Sequence, residues 1–294
     1  MNPILVYNYP LSVVLIFALA IGVGLFLTRK FHLNWRLYWI GGVIFILSQV
    51  FHLPFNFLLL NPFLKARLPE ALPEAWVLPI TALLLGLSAG LFEELARWAG
   101  YRWWAKDARS WSRGLLYGAG HGGVEAILIG GLVLVTYINM MAIRNQDLAT
   151  LVPPEQLSLA QAQFNAFWSA QWYDSLLSAF ERALTLPAHI AWSILVLQVF
   201  VRRQTRWLGF AILWHALVDA AAVFAVGTWG VYVAEAIVGV NAAASLAIIL
   251  AFRRPEPEPL LEAGLPFPAS PDLLFGMPPV EETAENLNRT RFSG

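Results

Sequence analysis

The stretch AWVLPITALLLGLSAGLFEELARWAGY, residues 75–101, decides the fold and raises the question of function. A helix that crosses a bilayer needs about 20 mostly apolar residues, and this stretch meets that length. Three charged residues, Glu93, Glu94 and Arg97, interrupt it. Ionisable side chains inside a membrane span are costly, and they usually face the protein interior, where they mark a functional site or a pairing network. The stretch therefore predicts a membrane helix that carries polar side chains into a helical bundle.

The composition of the whole chain agrees with a membrane protein. Of the 294 residues, 58% are hydrophobic and 13% are charged, whereas soluble domains carry about 25% charged residues. The net charge is zero, so the chain has no excess of basic residues to attract nucleic acid. The chain has no cysteine, which excludes disulfides, thiolate metal ligands and a cysteine nucleophile. We therefore expect an all-α integral membrane protein that is surrounded by lipid and does not bind nucleic acid.

Apolar runs predict about seven spans within a membrane domain of residues 1–254, at about 10–28, 38–60, 75–101, 113–141, 175–201, 207–226 and 230–252. The loops after the odd-numbered spans carry most of the Lys and Arg. Because positive loops stay in the cytoplasm, we predict an outside N-terminus and a cytoplasmic C-terminus in a multi-pass protein of the plasma membrane. Residues 255–294 are rich in proline and acidic residues, which predicts a disordered cytoplasmic tail.

The segment QAQFNAFWSAQW, residues 161–172, has two interpretations. Phe164, Phe167, Trp168 and Trp172 fall near helical spacing, which is typical of a helix lying in the outer membrane interface. The alternative is that the segment extends the fifth span. The sequence does not decide between the two.

The ionisable residues within the spans fall at two depths. With a rise of 1.5 Å per residue, Glu94, His121 and His215 each lie about 12–13 Å from the basic end of their spans. By the same measure, a second layer lies about 18–20 Å deep and holds Glu125, His189 and Asp219. Nearer the outer end, Glu181 and Arg182 are expected to pair or to reach the interface. Several helices therefore bring acids and histidines to one region of the bundle.

The histidines of this region suit a metal site. His121 and His215 are predicted to bind a divalent metal, with zinc as the expected ion and His189 as a further ligand. Such a metal lowers the pKa of a bound water and polarises a carbonyl group, which is the chemistry of hydrolysis. Without a metal, a pair of glutamate and histidine still activates water, but more weakly.

The acids have predicted roles beside the histidines. Glu94 or Glu93 is the predicted general base that takes a proton from water. Glu125 and Asp219 each lie four residues after a histidine, on the same helix face, where a carboxylate can orient an imidazole. Arg97 is expected to hold one of the glutamates or to stabilise an oxyanion. A purely structural ion pair of Glu93 with Arg97 is the alternative for these two residues.

Four motifs within about residues 38–250 resemble known membrane peptidases. EELAR and HALVD look like the Glu-Glu-x-x-basic and His-x-x-x-Asp/Asn motifs of the PrsW-type and CAAX-protease-like peptidases. GHGGVEA and FERALTLPAHI look most like the bacterial YhfC family of intramembrane metalloproteases. In chain order, the motifs begin at Glu93, Gly120, Phe180 and His215.

The resemblance implies an all-helical integral membrane fold and a peptidase activity in a bacterial membrane. It implies a substrate that is a membrane-embedded or membrane-associated protein or peptide. Glu93, Glu94, His121 and His215 match the positions that are usually assigned to catalysis in this group. The basic residue departs from the CAAX-type pattern, since Arg97 lies one position closer to the glutamates than is usual there.

Two other function classes remain compatible with the sequence. A proton-coupled transporter also places Glu, His and Asp in layers within its spans. A non-catalytic membrane scaffold keeps a polar cluster for folding alone, and it would tolerate Glu94→Gln. Metal-dependent peptide hydrolysis is the favoured interpretation, because the buried acids and histidines suit it best.

Overall fold

The structure, a computed structural model, describes residues 3–253, and every regular element within them is helical. Seven helices in this part of the chain are long and apolar enough to cross a membrane. They are Leu5–Lys30, Arg36–Ala71, Glu74–Trp103, Trp111–Ala142, Asp174–Val201, Arg206–Trp229 and Val231–Ala251. The prediction of an all-α integral membrane protein with seven spans is confirmed. The predicted tail, residues 255–294, lies outside the described residues.

We number the α-helices in chain order. They are α1 (Leu5–Lys30), α2 (Arg36–Phe55), α3 (Leu68–Ala71), α4 (Glu74–Trp103), α5 (Trp111–Ala142), α6 (Leu157–Ser169), α7 (Leu177–Val201), α8 (Arg206–Trp229) and α9 (Val231–Ala251). Two π-helical segments, Asn56–Leu60 and Phe63–Arg67, connect α2 to α3. The second span is therefore continuous over 36 residues and extends beyond its predicted end at residue 60.

Helix α7 forms the centre of the bundle. About 72% of the most apolar 18-residue stretch of this span is buried, which is far more than in the other six long helices. It contacts α1, α4, α5, α8 and α9. The side chains of Leu132, Leu213, Leu217 and Val240 are more than half exposed, as expected for apolar side chains that face lipid. Polar side chains on α7 are thereby enclosed by neighbouring helices.

Glycines allow α4 to approach α8 closely. A Cβ atom at Gly86 would lie 2.3 Å from the carbonyl oxygen of Ala216, and one at Gly90 would lie 2.7 Å from that of Ile212. Such contacts are only possible when the residue has no side chain, which is why small residues recur where membrane helices meet. The close approach brings the start of the EELAR motif against the helix that carries His215.

Helix α5 makes similar contacts with α2 and α7. A Cβ atom at Gly120 would lie 1.9 Å from the carbonyl oxygen of Tyr38, and one at Gly122 would lie 2.9 Å from Cβ of His189. The glycines that flank His121 therefore permit two neighbouring helices to meet α5 at the depth of this histidine.

Residues 157–169 form a separate helix, α6, and do not extend the fifth span. Turns separate Ser169 from the helical segment that begins at Asp174, so the interpretation as an extension of that span is wrong. Phe164 and Trp168 are buried against Leu5 and Leu148. Helix α6 therefore covers the end of the bundle where α1 begins, and its location in the membrane interface stays a prediction.

Candidate metal centre

Glu93 of α4, His121 of α5 and His189 of α7 converge inside the bundle. Each can offer one ligand atom such that these three atoms lie within 4.8 Å of one another. Nε2 of His121 is 3.2 Å from Oε2 of Glu93. The rings of His121 and His189 stack, with 5.5 Å between their centroids. All three residues are buried, and His121 is fully so.

The surroundings of Glu93 and His121 leave one nitrogen atom without a partner. Nε2 of Gln49 donates a hydrogen bond of 3.1 Å to Oε1 of Glu93, which leaves Oε2 to face His121. Phe45 packs edge-on against the His121 ring. Nδ1 of His121 is buried and has no hydrogen-bond partner within residues 3–253. Buried polar atoms are normally satisfied, so His121, with Nε2 facing Glu93 and Nδ1 without a partner in these residues, has imidazole nitrogen available to bind an ion.

His189 contacts charged groups on two sides. Its Nε2 lies 2.7 Å from Oε2 of Glu125 in α5. Its Nδ1 lies 3.4 Å from Nη2 of Arg97 in α4. Arg182 of α7 contacts the other oxygen of Glu125, with Nη1 and Oε1 2.5 Å apart. Three helices therefore position the imidazole of His189.

A second cluster adjoins the first through Arg97. The guanidinium group of Arg97 pairs with Oε1 of Glu94, and both side chains are fully buried. Nδ1 of His215 lies 2.8 Å from the same oxygen, and Nε2 of His215 lies 3.5 Å from Oδ2 of Asp219. Trp192 stacks on the His215 ring, with 3.8 Å between centroids and 5° between planes. Contacts at both nitrogen atoms and on one face therefore hold the His215 ring in its orientation.

The group of Glu93, His121 and His189 fits a divalent cation. One carboxylate and two imidazoles form a ligand set that catalytic zinc sites use, with a further position left for water. The carboxylate of Glu125 beside His189 and the amide of Gln49 beside Glu93 are outer partners of the kind that orient metal ligands. The donor atoms, their spacing and Nδ1 of His121, which has no partner among the described residues, are all compatible with a bound cation.

The sequence of the chain matches one protein family across this site. Residues 15–240 match the family described as YhfC intramembrane metalloprotease. The chain belongs to the YhfC family. The resemblance predicted from the four motifs is therefore confirmed, and the chain is a multi-pass membrane protein.

A curated relative from Bacillus subtilis (strain 168) is described as uncharacterized membrane protein YhfC. It is 31% identical over 220 residues, which cover 72% of this chain and 82% of the relative. No solved structure matches the chain significantly. The family description names a metalloprotease, and the relative adds no activity of its own.

In the structure, several predicted site residues contact partners other than those that their spacing along one helix suggests. Arg97 pairs with Glu94, three residues away, and leaves Glu93 to meet His121. Glu125 contacts His189 of another helix although it lies four residues after His121 in its own. His215 contacts Glu94 and Asp219 and lies outside the three-residue group. The sequence predicts it as a metal ligand, which remains untested, and the proposed metal centre does not include it.

Sequence reasoning missed two side chains that contact the site, Gln49 and Trp192. Gln49 is a polar residue within an apolar run, and this signal was available. Trp192 lies three residues after His189, but its stacking on His215 depends on the neighbouring helix. Arg182 pairs with Glu181, which is one of the two predicted alternatives, and it also pairs with Glu125 of α5, which the sequence does not indicate.

Proposed function

We propose that this protein is a metal-dependent peptidase that hydrolyses a peptide bond in or near the membrane. The observation that carries the proposal is the convergence of Glu93, His121 and His189 from three helices, with ligand atoms within 4.8 Å. A buried carboxylate and two buried imidazoles would be an expensive arrangement in a bilayer without a function. The description of the family as metalloproteases supports the same reaction class.

Glu93, His121 and His189 would hold a divalent metal, with zinc as the expected ion because of the two imidazole ligands. When bound, such a metal lowers the pKa of a water molecule and polarises the carbonyl group of the substrate. Gln49 would keep Glu93 in its orientation by donating to Oε1, so that Oε2 remains on the side of His121. Glu125 would likewise keep the imidazole ring of His189 in its orientation.

Glu94 is the proposed general base. Its Oε1 is held by Arg97 and His215, whereas its Oε2 is buried without a hydrogen-bond partner among residues 3–253. That free oxygen is the one that would accept a proton from the attacking water. Nη2 of Arg97 is 3.4 Å from Nδ1 of His189, so Arg97 connects the base to the proposed metal ligands.

His215 and Asp219 would handle the proton after its transfer. Nδ1 of His215 faces Glu94, and Nε2 faces Asp219 at 3.5 Å. The side chain of Asp219 is 37% exposed, whereas His215 is buried. The proton that Glu94 takes from water would be returned by Glu94 to the leaving amine, and His215 and Asp219 would give Glu94 a path for proton exchange towards the surface of α8.

The depth of the site supports a substrate that is a membrane-embedded or membrane-associated protein or peptide. The proposed ligands lie inside a bundle whose outer side chains are apolar and exposed to lipid. A substrate that partitions into the membrane reaches such a site more readily than a soluble one.

Cleavage of membrane peptides tests the proposal. The purified protein is reconstituted into liposomes with a pool of single-span peptides, and fragments are identified by mass spectrometry. We expect fragments that disappear with a zinc chelator, return with added zinc and are absent with Glu94→Gln. The control is Glu70→Gln, which removes an exposed carboxylate of α3 that pairs with Arg67. Cleavage that survives both the chelator and Glu94→Gln would contradict the proposal.

A proton-coupled transporter is the second candidate, because one observation favours it. Charged and imidazole side chains form a continuous series of contacts through the bundle, which runs through Glu181, Arg182, Glu125, His189, Arg97, Glu94, His215 and Asp219. Such a series can relay protons. Proton uptake into metal-free proteoliposomes that stops with Glu94→Gln would favour the transporter over the peptidase.

A further inference from the structure

Arg182 is a buried cation that the proposed reaction does not use. It lies in α7, seven residues before His189, and its side chain is 8% exposed. Nη1 lies 2.5 Å from Oε1 of Glu125, and Nη2 lies 2.5 Å from Oε1 of Glu181. The side chain of Glu181 is 40% exposed and that of Glu125 is 18% exposed, so Glu125 is the more enclosed partner of Arg182.

Glu125 joins Arg182 to His189 through its two oxygen atoms. Oε1 contacts Arg182, and Oε2 lies 2.7 Å from Nε2 of His189. Because each oxygen lies within 2.7 Å of a nitrogen on a different side chain, rotation of the carboxylate or of the imidazole would lengthen at least one of these contacts. A carboxylate beside Nε2 favours the tautomer that carries its proton there, so the lone pair lies on Nδ1. Nδ1 faces Nη2 of Arg97 at 3.4 Å, and a metal bound by Nδ1 would compete with this contact.

On the basis of the proposed function, we propose that Arg182 is a positioning residue for the metal centre. It holds Glu125 in the orientation that fixes the ring and the tautomer of His189. Without Arg182, Glu125 would lose the charge-assisted contact on Oε1 and could turn away from the imidazole. A merely structural ion pair would stabilise the fold but leave the metal affinity unchanged.

The geometry favours arginine over lysine at this position. A planar guanidinium group donates in two directions at once, and here its two terminal nitrogens contact two different carboxylates. The ammonium group of lysine is a single point charge on a flexible stem. Arg182→Lys should therefore keep a positive charge beside Glu125 but fix the orientation of this carboxylate only in part.

Binding of Co²⁺ to the purified, metal-free protein tests this inference without any need for a substrate. The affinity is measured by competition with a chelator, and the visible absorption of Co²⁺ reports the ligand geometry. We expect Arg182→Met to weaken Co²⁺ binding about 10- to 100-fold, the usual effect of losing an outer partner of a metal ligand. The absorption spectrum should also change, and Arg182→Lys should bind with intermediate affinity.

Arg109→Met is the matched control. Arg109 is also partly buried, but it donates to the backbone carbonyls of Tyr101, Ala105 and Ala108 and makes no contact with the metal centre in the described residues. This variant should lose stability without any change in Co²⁺ affinity. If Arg182→Met does not fold, Arg182→Gln replaces it, with the same expected loss because the charge is gone.

The outcomes separate this inference from the proposed function. Stoichiometric Co²⁺ binding by the wild type, with unchanged affinity and spectrum in a folded Arg182→Met or Arg182→Gln variant, would overturn the role of Arg182 alone. A folded wild type that binds no Co²⁺ would contradict the metal centre itself, and the role of Arg182 with it.

Discussion

Nδ1 of His215 lies 2.8 Å from Oε1 of Glu94, the same oxygen that pairs with Arg97. Glu93, the preceding residue, instead meets His121 and Gln49. Successive side chains of a helix point about 100° apart, so two adjacent glutamates can serve two separate groups of partners. The two residues are therefore expected to have different functions.

Replacement of Glu94 by glutamine should separate catalysis from metal binding. The amide has nearly the same shape as the carboxylate but cannot take a proton from water. Because a positioned general base contributes roughly 10²- to 10⁴-fold, we expect peptide cleavage to fall at least about 100-fold. Metal content, measured on the purified variant, should remain that of the wild type.

Glu93→Gln provides the comparison. It removes a proposed ligand, so it should lower the metal content as well as the cleavage. If Glu94→Gln lost the metal while Glu93→Gln kept it, the roles that we propose for the two glutamates would be reversed.

Gly86→Ala should destabilise the contact between α4 and α8. The added Cβ would lie 2.3 Å from the carbonyl oxygen of Ala216, which is backbone and cannot rotate away. Overfilling a tight interior costs about 1–3 kcal/mol, so we expect a lower thermal unfolding midpoint in detergent. Gly209→Ala is the control, since a Cβ there would meet no atom of the described residues within 4 Å. Equal unfolding midpoints for the two variants would argue against this close approach.

The predicted orientation can be tested because the chain has no cysteine of its own. Gln146 lies in the loop after α5, and Lys106 lies in the loop after α4. Gln146→Cys should react with a membrane-impermeant maleimide in intact spheroplasts. Lys106→Cys should react only after the membrane is permeabilised, because positive loops stay in the cytoplasm. The reverse labelling pattern would show that the N-terminus is cytoplasmic.

The seven long helices were predictable because length and hydropathy alone mark a membrane span. The second span shows the limit of this reasoning. Beyond the predicted end at residue 60, the π-helical segment Phe63–Arg67 and α3 continue it to Ala71, and the charged residues Lys65 and Arg67 remove the hydropathy signal there. Whether residues 157–169 join the fifth span was also open in the sequence, since the turns after Ser169 involve no proline or glycine.

Most of the side chains that converge in the bundle were named from the sequence, but their pairing was not predictable. Spacing within one helix shows that His121 and Glu125 share a face. It does not show how that helix is rotated against α7, and this rotation directs Glu125 to His189. The same limit applies to Glu93 and Glu94, because only the contacts of α4 with α2, α5 and α8 decide which glutamate meets which histidine. The pair of Arg182 with Glu181 was among the predicted alternatives, but the contact of Arg182 with Glu125 was not, because position along α7 says nothing about the carboxylate that α5 places opposite it.

Metal content of the detergent-purified protein tests the central claim most directly. Wild type is compared with His121→Ala, His189→Ala and His215→Ala, and with His52→Ala, which removes a buried histidine that contacts Ser88 and Asn56 instead of the site. We expect about one zinc per wild-type chain, a loss in the variants of His121 and His189, and retention in those of His215 and His52. A folded wild type without metal, or equal metal in all five proteins, would contradict the proposed metal centre.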